Sequence, residues 1–306
     1  MKDKKIEDFY QSFLTFTELL FHRFSSRNEL DFQSIQNMIR MAYEFVLQDR
    51  NQIVYVMQTA EHYNNPHVAH AVRSCIVAII IGAYLKMPRH HMIELGIAGL
   101  LCNISIIGMS SDRAYTISEG STDLLATGTD DEKKLMYVHP IQASQILKDF
   151  NYPMSVCEAV LQHHEMEDGS GFPRQIKGTR ICFYGKILVV AGFFEAFSMQ
   201  RIDGIKSSHN AMMQILKNAE AFDTSVVQAL VNSISIYPAG TYVLLSNGDR
   251  GQVLGVDQDN PRFPIVELYE KKPRKETLRT TDEVSITRQL TSEEIESSVE
   301  KPAEEK

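Results

Sequence analysis

The sequence predicts a mostly helical protein that closes with a small β element and a charged tail. Three observations carry that prediction. Apolar residues recur at helical spacing along most of the first 235 positions, and polar, Gly or Pro breaks close each run. Past Pro238 the pattern changes to short β-rich runs joined through Ser246-Asn247-Gly248-Asp249, which carries the Asn-Gly hairpin signal. The balance of 43 % apolar to 23 % charged residues is that of a globular chain, and 306 residues supply ample material for a core.

Taken in order, residues 5–25 repeat Ile6, Phe9, Tyr10, Phe13, Leu14, Phe16, Leu19, Leu20 and Phe24 at helical spacing. Further helices are expected over 32–48 and 51–63. Asn64-Asn65-Pro66 stops the third and starts the next, since Asn caps well and Pro suits a first turn. Long apolar helices follow over 67–86, stopped before Pro88, and over 90–107, ended near Gly108. Residues 110–129, rich in Gly, Ser, Thr and Asp, read as a loop. Helical spacing resumes over 131–150, 153–164, 181–200, 209–219 and 224–235, with a turn-rich segment, Asp168 to Pro173, between the second and third of these. Strands are expected over 241–245 and 251–256, with a third short one over 265–268. From 271 to 306 the charges are of both signs and no apolar face persists, so this stretch is expected to be a disordered tail.

Composition limits the partners. With 31 basic against 39 acidic residues the net charge is −8, which gives no general attraction for DNA, RNA or an anionic bilayer. The longest apolar runs, 75–85 and 95–102, fall short of the ~20 residues of a membrane span. They read instead as core helices, and no membrane insertion is expected. Cys75, Cys102, Cys157 and Cys182 form no CxxC pair and read as buried reduced thiols of a cytoplasmic protein. The apolar faces of the first 60 residues leave open packing on the main domain or a homodimer contact.

One string carries most of the chemistry: His163-His164-Glu165-Met166-Glu167-Asp168-Gly169-Ser170-Gly171-Phe172-Pro173. Adjacent histidines at a helix end point ~100° apart and can serve neighbouring positions of one metal cluster. The glycines let the backbone pass close to a ligand.

This string closely resembles the signature of the HD-GYP family, metal-dependent phosphodiesterases that hydrolyse the bacterial messenger cyclic di-GMP, with Phe172 in place of Tyr. The resemblance covers roughly residues 60–240. His70 stands where the family has the His of its first core helix. Ala98 to Gly108 looks like the helix carrying the His-Asp pair, and His139-Pro140 matches another family motif. Val190 to Ala196 matches the segment of a late metal-binding Asp, and the run from Ile236 into a hairpin resembles the family's small β extension. The resemblance implies an HD-superfamily helical bundle over residues 61–236. It is preceded by an N-terminal helical region, 1–60, and followed by a β-hairpin extension, 237–270, and the tail, 271–306.

The departures from the family decide the expected function. Cys102-Asn103 replaces the His-Asp pair, and a neutral amide cannot bridge two cations as a carboxylate does. Ser105 replaces a phosphate-holding Lys, and Gly192 replaces the late Asp. The matched positions that remain are His70, His139, His163 and His164, which either hold one transition metal of the Fe, Mn or Zn class or persist as packing. A two-metal centre, and with it the family's hydrolysis, is not expected. The retained Gly171-Phe172-Pro173 loop with Arg174, Lys177, Arg180 and Lys186 forms a local cationic stretch. It is either a recognition site for cyclic di-GMP or a related nucleotide, with Phe172 or Phe183 as a stacking face, or a solvated rim. The expected function is thus that of a catalytically impaired relative acting in signalling through a nucleotide or a protein partner. The alternatives are a phosphohydrolase on a reduced, histidine-only site, and a helical interaction protein that binds no nucleotide.

Overall fold

The structure is a computed structural model. It describes residues 4–60, 63–109, 128–199, 201–202, 205–257, 263–269, 277–281, 283–291 and 293–295. Ten α-helices are described. They are α1 (Lys4–Arg27), α2 (Phe32–Gln48), α3 (Arg50–Thr59), α4 (Pro66–Tyr84), α5 (Arg89–Leu101), α6 (Asp130–Asp149), α7 (Met154–Gln162), α8 (Phe183–Met199), α9 (Ser208–Lys217) and α10 (Thr224–Ile234). The strands are β1 (Arg201–Ile202), β2 (Ile205–Lys206), β3 (Tyr242–Leu245), β4 (Arg250–Val256), β5 (Pro264–Leu268), β6 (Thr277–Arg279) and β7 (Ile286–Gln289).

Helix starts follow local chemistry. Asp31, Asp49, Asn65, Ser207 and Asp223 each accept a backbone N–H in the first turn of the helix they cap. Thr129 and Glu132 form a reciprocal capping box at α6. Pro66 fills the first position of α4, as the sequence reading anticipated. Most of residues 110–129, read from the sequence as a loop, lies outside the described residues.

Helix α4 is the axle of the bundle. It is long and apolar enough to cross a membrane by length and composition, yet it is buried from His67 to Gly82 among α1, α2, α5, α8 and α10. The core is continuous from Ile6 and Phe13 of α1 through Ile39 of α2 and Ile76 of α4 to Leu188 of α8 and Leu230 of α10. Gly99 lets α5 close on α4, where a β-carbon would stand 3.1 Å from the Cys75 Cα.

Helix α5 ends sooner than the periodicity predicts. It stops at Leu101, and a single 3₁₀ turn, Ile104–Ile106, replaces its last turn. Asn103 at the junction has left helical geometry, with φ −105° and ψ 18°. The break places Cys102, Asn103 and Ser105 in an irregular segment.

The C-terminal part differs more. The reading expected a hairpin extension ending at 270 and a disordered tail beyond. Instead the described residues form a five-stranded antiparallel sheet in the order β6-β5-β4-β3-β7, with β6 and β7 drawn from that tail. Each strand brings a single apolar residue, Leu278 of β6 and Ile286 of β7, onto a core of Val243, Leu245, Val253, Val266 and Leu268, and pairs with the open backbone edge of β5 or β3. A fork from Arg288 to Glu294, 2.7 and 2.6 Å, pins the end of β7. Asn51 of α3 locks the sheet to the bundle: its amide donates to Val256 O at 2.7 Å and accepts from Val256 N at 3.1 Å. Gly255 is required beside it, since a β-carbon there would lie 2.3 Å from Asn51 Cγ.

Candidate metal centre

The site is assembled where the middle of α6 meets the C-terminal end of α7. His139 and His163 each donate from Nδ1 to the carbonyl three residues back, Met136 O and Val160 O, both at 2.6 Å. A carbonyl can only accept, so Nδ1 carries the proton in both rings and Nε2 carries the lone pair. The two Nε2 atoms then face each other at 3.3 Å with no proton between them. Zn–N bonds of ~2.0–2.1 Å at a tetrahedral angle put two nitrogens about 3.3–3.4 Å apart, so the pair is already spaced for one ion.

His164 completes the group. The ligand atoms of His139, His163 and His164 lie within 4.8 Å of one another. His164 Nε2 is buried without a hydrogen-bond partner in the protein. Burial in each other's company holds His139 and His164 well below the ordinary histidine range, and burial lowers His163 to about 4. All three are neutral imidazoles near neutral pH, the form in which histidine binds a metal. Spacing, tautomers and the orphaned nitrogen together fit a transition metal on these three residues.

The string after His164 is shaped to close over it. Glu165 is fully buried and accepts Arg174 N at 2.7 Å and Ile176 N at 3.1 Å, which folds the loop back. Asp168 Oδ1 accepts Ser170 N at 2.9 Å and sets the turn. Gly171 must be glycine, because a β-carbon would stand 2.3 Å from both His164 O and Met166 N. Phe172 then stacks on His164, with centroids 4.5 Å apart, and meets Tyr137 edge-on at 5.1 Å. Phe172 is therefore a cover for the histidines and offers no free stacking face. Phe183, 42 % exposed, does.

His70 stands outside the three-imidazole group. Its Nδ1 bonds the carboxylate of Glu195, which is buried at 2 % exposure. Arg73 lies 3.7 Å from the other Glu195 oxygen and donates to Tyr10 OH at 3.0 Å, so this buried chain reaches α1. A carboxylate behind a histidine fixes its tautomer and makes it a better donor. The sequence reading overlooked Glu195. The signal was available: it is the lone acid in the apolar run Leu188 to Phe197.

The positions expected to depart from the family pattern are described as well. Cys102 donates to Gly99 O at 3.4 Å, and burial pushes its thiol up to about 12, so it is no thiolate ligand. Asn103 is 2 % exposed, and its amide oxygen has no hydrogen-bond partner. Ser105 spends its hydroxyl on His139 O at 2.9 Å. At Gly192 nothing lies within 4 Å of where a β-carbon would be, so there is room for a side chain there. Arg174, Lys177 and Arg180 are exposed. Lys186 is separated from that cationic set: it bridges Glu167 and Asp223, each at 3.0 Å, and so ties the loop to the start of α10.

The profile of a family described as "HD domain" matches residues 33–226, more than half of the chain. Cyclic di-GMP phosphodiesterase PdeB of Borreliella burgdorferi is 26 % identical over 206 residues, 66 % of this chain and 52 % of that protein. Cyclic di-GMP phosphodiesterase PA4108 of Pseudomonas aeruginosa is 28 % identical over 217 residues, 70 % of this chain and 49 % of that protein. The chain thus spans about half the length of these relatives. Among solved structures, Bd1817, an HDG"Y"P protein from Bdellovibrio bacteriovorus, shares the fold with a TM-score of 0.58 at 14 % identity, over 72 % of this chain and 69 % of that one. The helical bundle, the histidine-bearing string and these likenesses agree: the chain belongs to the HD domain family, and the relatives it resembles there are cyclic di-GMP phosphodiesterases.

Proposed function

We propose that the protein is a catalytically impaired HD-GYP relative that acts in cytoplasmic signalling by binding cyclic di-GMP or a related nucleotide, or a protein partner. The observation that carries this reading is Asn103, a buried neutral amide at the position of the metal-bridging carboxylate. Two-metal hydrolysis holds a hydroxide between ions about 3.5–4 Å apart, and the bridging position needs negative charge to keep both there. Gly192 removes a second carboxylate and Ser105 a cation, so charge for two ions and for the transferred phosphate is missing together.

His139, His163 and His164 would hold a single metal, which supplies a Lewis acid able to attract one phosphate oxygen. Around it this chain's own residues do the binding. Arg174, Lys177 and Arg180 line the loop with exposed charge suited to a dianionic ligand. Phe183 supplies an exposed ring for a base. Calorimetry with cyclic di-GMP tests this reading. The expected result is measurable heat in the native protein and at least tenfold weaker binding in Arg174→Ala/Arg180→Ala. No heat in the native protein, or an unchanged affinity in the double variant, overturns it. The convergent imidazole triad favours one second reading, a phosphohydrolase on a single metal. Metal-dependent turnover separates that reading from pure binding.

A further inference from the structure

We propose that His67 is an additional metal ligand peculiar to this chain, joining His139, His163 and His164 from the α4 side as a fourth nitrogen donor. The proposal rests on the reading that the triad holds a metal, and it names a residue that the matched positions do not include.

His67 lies one helical turn before His70 on α4 and is 3 % exposed. Neither of its ring nitrogens has a hydrogen-bond partner in the protein. A neutral imidazole carries one donor and one acceptor, and leaving both unmet in the interior is costly. Only one other described histidine has an orphaned buried nitrogen, and it is His164 of the triad. Asn103 Oδ1, at the old bridging position, is orphaned too. His67 is close enough to His139 of the triad to disfavour its protonation, which puts an imidazole with two unmet nitrogens on the α4 side of the metal centre.

Room and protonation state agree. His67 lines a cavity of about 270 Å³ together with Phe21, Asn65, Ile107 and Met109. Ile107 and Met109 belong to the same irregular segment that carries Cys102, Asn103 and Ser105, so one stretch of chain walls both the cavity and the metal centre. His67 stands outside the 4.8 Å group, and joining it requires the ring to turn from the cavity toward the triad. Burial, with His70 beside it, lowers His67 to about 3, so it too is neutral and ready to donate a lone pair. The packing contact it makes, Phe21 at 5.4 Å and 37°, is a tilted ring contact that leaves both nitrogens unsatisfied.

The test loads the full chain with Co²⁺ and reads the visible d–d bands and the dissociation constant by chelator competition, for the native protein, His67→Leu, His67→Gln and His163→Ala. The proposal expects His163→Ala to abolish binding. It expects His67→Leu and His67→Gln to weaken binding ten- to a hundredfold and to change the band positions, as loss of one nitrogen donor requires. The melting temperature of the metal-free His67→Leu protein should not fall, which shows that the variant still folds. If the native protein binds Co²⁺ and both His67 variants keep its spectrum and affinity, the proposal is wrong while the triad reading stands. If the native protein binds no Co²⁺, the triad reading fails and takes the proposal with it.

Discussion

Acidification is the sharpest probe of the buried histidines. In the unfolded chain each histidine titrates near 6.5, whereas in the folded protein His163 is lowered to about 4 and His67 to about 3. Between those limits the unfolded state binds protons that the folded state refuses, so stability falls as pH falls. For His163, going from pH 7 to pH 5 removes about 2 kcal/mol, and His67 removes a further ~2 kcal/mol. His139 and His164 are shifted in the same direction and add to the loss. Asp168 and Asp223 are held below their usual range, so their contributions fade only at lower pH. Against a total of ~5–15 kcal/mol for a folded domain, a loss of ~4 kcal/mol is readily measured. The assay is urea unfolding followed by circular dichroism at pH 7, 6 and 5, with chelator present. The His67→Leu protein should lose about 2 kcal/mol less than the native protein over the same range. Equal unfolding free energies at pH 7 and pH 5 would refute the claim that these rings are buried and neutral.

Other predictions follow from single contacts. Gly171→Ala drives a methyl into His164 O and Met166 N, so it should destabilise the protein by about 1–3 kcal/mol and weaken metal binding, read by melting and by Co²⁺ titration. Gly192→Asp enters open space and should leave the melting temperature within a few degrees. Combined with Asn103→Asp it should raise the metal content above that of the native protein, measured by elemental analysis. Asn51→Leu removes both hydrogen bonds to Val256 and should lower stability by about 1–3 kcal/mol, with faster proteolysis of the sheet as the local readout.

What could be read from the sequence was local in character. Asn65-Pro66 announces the start of α4 because cap and first turn are neighbours in the chain. The string from His163 to Pro173 announces its own fold because Glu165, Asp168, Gly171 and Phe172 act on backbone within about ten residues. Pairings made through space were not legible. Glu195 stands out as a lone acid, but its partner His70 is 125 positions away, and Lys186 finds Asp223 only once α8 and α10 are packed. Strands β6 and β7 look disordered in a sequence because each carries one apolar residue for the core, Leu278 or Ile286, and is otherwise held by a sheet edge. Phe172 reads as a stacking platform until the turn at Gly171 lays it on His164. His67 is hidden in the sequence for a related reason: a histidine in an apolar helix stands out only through its nitrogens' lack of partners in the fold.

The central claim is that the loss of charge at Asn103 and Gly192 has ended hydrolysis while leaving a nucleotide-binding surface. The most direct measurement is turnover of cyclic di-GMP by the purified, metal-supplemented protein, followed by chromatography of the nucleotides, beside the same assay on His163→Ala. The account predicts that cyclic di-GMP is recovered intact in both, with any trace of linear product equal in the two samples. Metal-dependent formation of linear product by the native protein, abolished in His163→Ala, would contradict it.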